Sequence, residues 1–232
     1  MKRHFDEELK KLNMDLLKMA ALTEDAIRKS IEALKERDKD LAGQVISEDK
    51  KIDELENVIE ERAIFLLALR QPMAIDLRFI TTGMKINAEL ERIADLAVNI
   101  AQRALDLSDQ PHLKPLVDIP QLADVARSMV KNVIDAFVNR DEALARKVIF
   151  SDPEADRLRN RVYDELINEY MVKDGKTAPR AVPLLLVARH LERMCDHASY
   201  IAQDVIYMIE ARIVKHHLDD LDEAENFEPE KE

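Results

Sequence analysis

Residues 31–46 read IEALKERDKDLAGQVI, and residues 134–149 read IDAFVNRDEALARKVI. At this offset of 103, eight of the sixteen positions are identical, among them Arg37/Arg140, Asp38/Asp141, Leu41/Leu144 and Val45/Val148. Such identity within one chain marks an internal repeat. On either side of the first copy, apolar residues recur at alternating steps of four and three. Phe5, Leu9, Leu12, Leu16 and Met19 form one series, and Leu41, Val45, Ile52, Leu55, Ile59 and Leu66 another. This is the stripe of long amphipathic helices. The periodicity breaks at Arg37–Lys39, at Gln71-Pro72, and over 106–120, where Pro111, Pro115 and Pro120 fall. The spacing predicts helices near 5–36, 39–70, 75–106, 121–139, 141–171 and 180–214. The expected fold is all-α: two tandem three-helix bundles lying side by side, over 1–107 and 121–215. A linker over 108–120 joins them, and an acidic tail over 216–232 follows.

Composition agrees with this class. Three glycines and no tryptophan in 232 residues leave little for an all-β or glycine-rich nucleotide fold, while 47% hydrophobic residues supply a core. The net charge of −12 excludes the basic surface a nucleic-acid binder needs. A single cysteine, Cys195, rules out an intramolecular disulfide and fits a reducing compartment, with its place on the core stripe predicting a buried, inert thiol. The opening Met1-Lys2-Arg3-His4-Phe5 carries no apolar leader, and no window of 18 apolar residues occurs. A cytoplasmic protein without direct membrane insertion is expected.

The repeat also copies carboxylates. Leu90-Glu91-Arg92-Ile93-Ala94-Asp95-Leu96-Ala97 matches Leu191-Glu192-Arg193-Met194-Cys195-Asp196-His197-Ala198 at an offset of 101. Each Glu/Asp pair is four residues apart, on one helix face. One helix earlier, Asp49 and Asp53 match Asp152 and Asp156. If the first hairpin turns near residue 72 and the second near 174, Asp53 is level with Glu91, Asp49 with Asp95, Asp156 with Glu192, and Asp152 with Asp196. Glu91 and Asp95 lie roughly 100–140° from the centre of the stripe Leu90, Ala94, Ala97 and Ala101. Four carboxylates at one level beside the core suit a site for hard or borderline cations. Glu91, Asp95, Glu192 and Asp196 lead this metal-ligand set, and Asp49, Asp53, Asp152 and Asp156 complete it.

A plainer reading stands beside it. Flanking charges on an amphipathic helix are usually a solvated face, with Arg92 and Arg193 pairing locally to Asp95 and Asp196. Asp152-Pro153-Glu154 also reads as a helix N-cap with Pro at the first position. No His follows a Glu by three residues, as di-iron bundles require. His197 reads as an ordinary boundary residue, and His216-His217 as a frayed helix end. No catalytic constellation can be assembled. A metal-dependent enzyme using the carboxylates, or a purely structural scaffold, remain the alternatives to a regulatory protein.

These residues carry a resemblance. The repeated Glu-x-x-x-Asp segments, the opening Phe5-Asp6-Glu7-Glu8-Leu9, the run Arg70-Gln71-Pro72-Met73-Ala74-Ile75-Asp76-Leu77-Arg78 and the Asn99 context are similar to the PhoU phosphate-uptake regulators, over about 4–214. Where the first half has Asn99 the second has Tyr200, so the two sites need not be equivalent. The resemblance implies a non-enzymatic negative regulator of phosphate uptake and of the phosphate-starvation two-component response. It implies an adaptor between the ATPase subunit of the phosphate ABC transporter and a sensor histidine kinase, acting as a homodimer. Such Glu/Asp-x-x-x-Asp motifs hold multinuclear iron or other metal clusters in some members of that family and no metal in others, so the resemblance makes Glu91, Asp95, Glu192 and Asp196 candidate ligands, with iron the first metal to test.

Overall fold

Helix α1 ends where Arg37 turns left-handed (φ 59°), and Asp38 starts the next helix by accepting the Leu41 N–H at 2.9 Å. The second repeat turns identically: Arg140 is left-handed (φ 52°), and Asp141 accepts the Leu144 N–H at 2.9 Å. In both, the Asp N–H reaches back to a carbonyl five residues earlier, Ala33 at 3.0 Å and Ala136 at 2.9 Å. This back-bond closes a Schellman-type helix end. The repeated Arg-Asp pair is therefore the turn itself.

The structure, a computed structural model, describes residues 2–212 and 214. The acidic tail and His216-His217 lie outside the described residues. The helices are α1 (Lys2–Glu36), α2 (Lys39–Arg70), α3 (Ala74–Leu107), α4 (Asp118–Asn139), α5 (Glu142–Asp164) and α6 (Ala178–Glu210). No strand occurs among the described residues. Beyond α5 the chain continues as a π-helical segment, Glu165–Met171, and a 3₁₀ turn, Gly175–Thr177. Two of the bounds that differ from expectation have a visible local cause. Helix α6 stops at Glu210, because Ala211 turns left-handed (φ 59°) and caps onto the Tyr207 carbonyl at 2.9 Å. Helix α4 begins at Asp118, with Pro120 tolerated inside its first turn, where an N–H has no helical acceptor.

Each repeat is a three-helix bundle, and the two share a seam. Helices α3 and α6 run antiparallel along it: Arg78 Nε donates to the Met208 carbonyl (3.0 Å), Thr82 Oγ1 to the Asp204 carbonyl (3.5 Å), and Lys85 Nζ to the Asp204 carboxylate (2.8 Å). Helix α1 lies along α4, and Phe79 of α3 stacks on Phe137 of α4 with ring centroids 4.9 Å apart. One core thus runs through both halves. Helices α1 and α3 approach closely at Gly83, where an added Cβ would sit 3.2 Å from Leu16 Cδ1 and that side chain would have to give way. The connecting segment is pinned too: Lys114 is buried and pairs with Glu165, and Asp118 pairs with Arg161 at 2.7 Å. Helices α2 and α5 flank this assembly, so the α2–α3 and α5–α6 hairpins carry the repeated carboxylates on its outside.

Candidate functional site

On α2, Asp49, Asp53 and Glu56 follow one another at steps of four and three, beside the buried stripe Ile52, Leu55 and Ile59. On α3, Glu91 and Asp95 flank the buried Leu90, Ala94 and Ala97 in the same way. The hairpin brings the five into one electrostatic field. Partial burial raises the Glu91 carboxyl to about 7, reinforced by Asp95, Glu56, Asp53 and Asp49. Asp49 rises to about 6 through burial, Asp53 and Asp95. Asp95 is raised by burial and then by Asp53, and Glu56 by burial and then by Glu60, Asp53 and Asp95, against Arg92. A half-buried carboxylate among like charges holds its proton, because the charged form loses hydration and meets repulsion. Among the described residues none of the five makes an ion pair. Arg92 does not pair with Asp95; its guanidinium lies 2.6 Å from Glu89.

The second cluster has Asp152 and Asp156 on α5 and Glu192 and Asp196 on α6. Burial raises Asp152, as do Asp156 and Glu192, against a 3.4 Å hydrogen bond donated by Ser199. Glu192 and Asp196 are raised by burial first, then by their acidic neighbours. Here a cation is already present: Arg159 lies 2.6 Å from Asp156 and 3.3 Å from Glu192. The other Glu192 oxygen, Oε2, is buried without a partner. Cys195 lies fully buried beneath, as expected, its thiol pushed well up by burial and by the four carboxylates. Asp152 is not an N-cap. It sits inside α5, whose cap is Asp141, with Pro153 following it in mid-helix.

The donor chemistry of both clusters, oxygen only, suits hard divalent cations. Their geometry is open: among the described residues no three His, Cys, Asp or Glu side chains are gathered closely enough to hold an ion directly. The first cluster has the charge to attract a cation, five acids with no ion pair among the described residues, but not the closeness to hold one directly. The second fits less well, since Arg159 stands in it.

Three features escape sequence reading. Glu56 and Arg159 occupy equivalent repeat positions with opposite charge, so a search for identities passes over them. His197 is not an idle boundary residue. It is buried, with Nδ1 2.6 Å from Glu89 Oε2, and thereby ties α6 to α3. Finally, Val58, Ile64, Phe65, Leu69, Met73, Ile75 and Leu77 are exposed along the first hairpin, with Met73 81% exposed. No helix among the described residues is long and apolar enough to cross a membrane.

The sequence profile of the PhoU domain matches residues 16–104 and again 119–205, one copy per bundle. A protein of Aquifex aeolicus named phosphate-specific transport system accessory protein PhoU homolog is 42% identical over 90% of this chain and 95% of its own length. The namesake from Zymomonas mobilis is 38% identical over 88% of this chain and 85% of its own. Among solved structures, PhoU from Pseudomonas aeruginosa superposes with a TM-score of 0.86 at 34% identity, covering 90% of this chain and all of that one. The phosphate transport system regulatory protein PhoU from Streptococcus pneumoniae gives 0.84 at 28% identity, with 90% and 99% coverage. Two matched domain copies, in register with the two carboxylate-bearing bundles, place this chain in the PhoU family.

Proposed function

We propose that this protein is a non-enzymatic negative regulator of phosphate uptake and of the phosphate-starvation response. It acts in the cytoplasm as a homodimeric adaptor between the ATPase subunit of a phosphate ABC transporter and the sensor histidine kinase of a two-component system. The full-length relatives are named for a phosphate-specific transport system, which supports the transporter as one partner. The observation that carries the adaptor reading is the run of exposed apolar side chains along residues 58–77. An adaptor needs a face to present, and this one lies on a rigid helical hairpin.

The same reading gives the carboxylates a task. Asp49, Asp53, Glu91 and Asp95 would be the groups to hold a divalent cation, iron first, whose charge would offset the repulsion among them. Glu192 and Asp196, with Asp152 and Asp156, are the corresponding groups of the second hairpin. The chain's own part is to hold these oxygens at one level on two helices that share a core.

The test uses a phosphate-responsive reporter in cells that rely on this protein. Phe65→Glu/Leu69→Glu should derepress the reporter and abolish co-purification with the transporter ATPase, while melting within a degree or two of wild type, because both side chains are exposed. Glu91→Ala/Asp95→Ala should derepress it as well, and should lower the iron content of protein purified without chelators. Full repression by the Phe65→Glu/Leu69→Glu variant would remove the adaptor reading.

A further inference from the structure

Helices α3 and α6 meet in one register: Arg78 lies across from Met208, Thr82 from Asp204 and Glu89 from His197. Continued along the seam, that register puts Leu96 opposite His190 and Arg103 opposite Pro183. Helical side chains lean toward the N-terminus of their own helix. On antiparallel helices, therefore, Arg103 leans toward His190 and Arg193, and they lean toward it. The electrostatics agree: the charges acting on His190 are those of Arg193, Arg103 and Arg189, with no acid among them. Its Nδ1 is buried without a hydrogen-bond partner. Arg103 gives one nitrogen to Asp106 at 3.0 Å, and Arg189 faces Glu192 and Asp196 without an ion pair to either. Arg193 is exposed and makes no ion pair among the described residues. The other half of the seam shows what this charge lacks. At the offset of 101, His190 stands in place of Glu89 and Arg189 in place of Ala88, while Arg103 has Asp204 as its counterpart. There Glu89 is met by Arg92 and His197, each at 2.6 Å, and Asp204 by Lys85 at 2.8 Å. One half of the seam is neutralised by its own pairs; the other holds an excess of positive charge, in a chain of net charge −12.

We propose that Arg103, His190 and Arg193 form a binding site for a small tetrahedral oxyanion, a phosphate ion or a phosphomonoester, on the α3–α6 seam, with Arg189 at its edge. Guanidinium groups donate paired N–H bonds to phosphoryl oxygens, and such charge-assisted bonds are the strong ones. The imidazole supplies a further donor. Donors come from two helices and from different heights, which suits a tetrahedral ion better than a planar carboxylate. Arg189 and Arg193 are exposed, so the ion reaches the site without the helices parting. The anion supplies the negative charge that Glu89 and Asp204 supply in the other half. This site depends neither on the adaptor role nor on a cation at the carboxylates.

The experiment is calorimetric titration of inorganic phosphate into full-length protein in a chloride buffer with chelator, with melting as a second readout. The chelator keeps any contact between phosphate and metal at the carboxylates out of the signal. Wild type should bind phosphate saturably and melt higher in phosphate than in chloride of equal ionic strength. Arg103→Gln and Arg193→Gln should each weaken binding by on the order of tenfold, and the double variant should lose both the binding and the rise in melting temperature. In chloride these variants should melt close to wild type, as surface substitutions do, so that lost binding is not lost fold. Arg92→Gln, at an arginine already paired with Glu89, should bind as wild type does. Sulfate should displace phosphate, and acetate should not. Phenyl phosphate separates the two sources: tighter binding than phosphate assigns the site to a phosphomonoester, weaker binding to the free ion. No binding of either at millimolar concentration, binding unchanged in the double variant, or displacement by acetate as readily as by sulfate overturns the proposal.

Discussion

Glu91 and Asp49 are two of the groups that make this protein's stability depend on pH. Their carboxyls titrate near 7 and 6 in the folded chain, against ordinary values of 4.5 and 3.8. Between those limits the folded state holds protons that the unfolded state has released, so stability falls as pH rises. Their contribution is whole below the ordinary values and is lost as pH climbs through about 6 and then 7. Glu48 works in the other direction: hydrogen bonds from Lys29 (2.9 Å), Lys51 (3.0 Å) and Gln44 hold it down at about 2. Its contribution is present above 4.5 and disappears as pH falls through about 2. In calorimetry with chelator, Glu91→Gln should flatten the decline of Tm between pH 5 and pH 8 and raise Tm at the upper end. A decline as steep as wild type would mean that Glu91 is not the group responsible. The acids of this site were readable because the repeat copies them. Glu56 and Arg159 were not, because a charge reversal is visible only once the neighbours are known to be in contact.

At the scale of the element, the two inter-helix turns make the clearest case. Asp38 and Asp141 each satisfy an N–H that the first turn of a helix otherwise leaves open. Substituting either by Ala should cost about 0.5–2 kcal/mol in urea unfolding, with Asn retaining most of the stability. Equal stability of Asp141→Ala and wild type would show that the back-bond to Ala136 holds the turn without the cap. Those turns were legible as breaks in periodicity carrying the same Arg-Asp pair. The end of α6 was not, since Ala211 adopts a left-handed conformation that no glycine or asparagine announces. The start of α4 was hidden by Pro120, which marks a boundary in sequence yet sits within the first helical turn. Asp152-Pro153 misled in the opposite way: it has the grammar of a helix start, but packing of α5 against α4 and α6 carries the helix through it.

For the molecule as a whole, the α3–α6 seam decides whether two bundles behave as one. Glu89 and His197 meet there, both largely shielded from solvent, and Arg92 holds the other Glu89 oxygen. Glu89→Ala leaves a buried imidazole without its acceptor and should cost about 1–3 kcal/mol. Lys85→Ala removes a half-exposed partner of Asp204 and should cost at most about 1 kcal/mol. Urea unfolding followed by two probes, one in each half, checks this: the Glu89 variant should separate the transitions of the halves more than the Lys85 variant does. Equal coupling in both would assign the seam to its apolar contacts.

The all-α class, the duplication, the paired helices and the repeated acids follow from the sequence alone, because helical periodicity and repeat identity are local or one-dimensional signals. The partners across the seam, the apolar side chains left exposed along the first hairpin, and the opposite charges of Glu56 and Arg159 inside matching clusters were decided by tertiary structure. Each depends on which helix faces which at a given height. That choice is made by the packing of six long helices on a shared core, where residues distant in sequence come within reach of one another's charge.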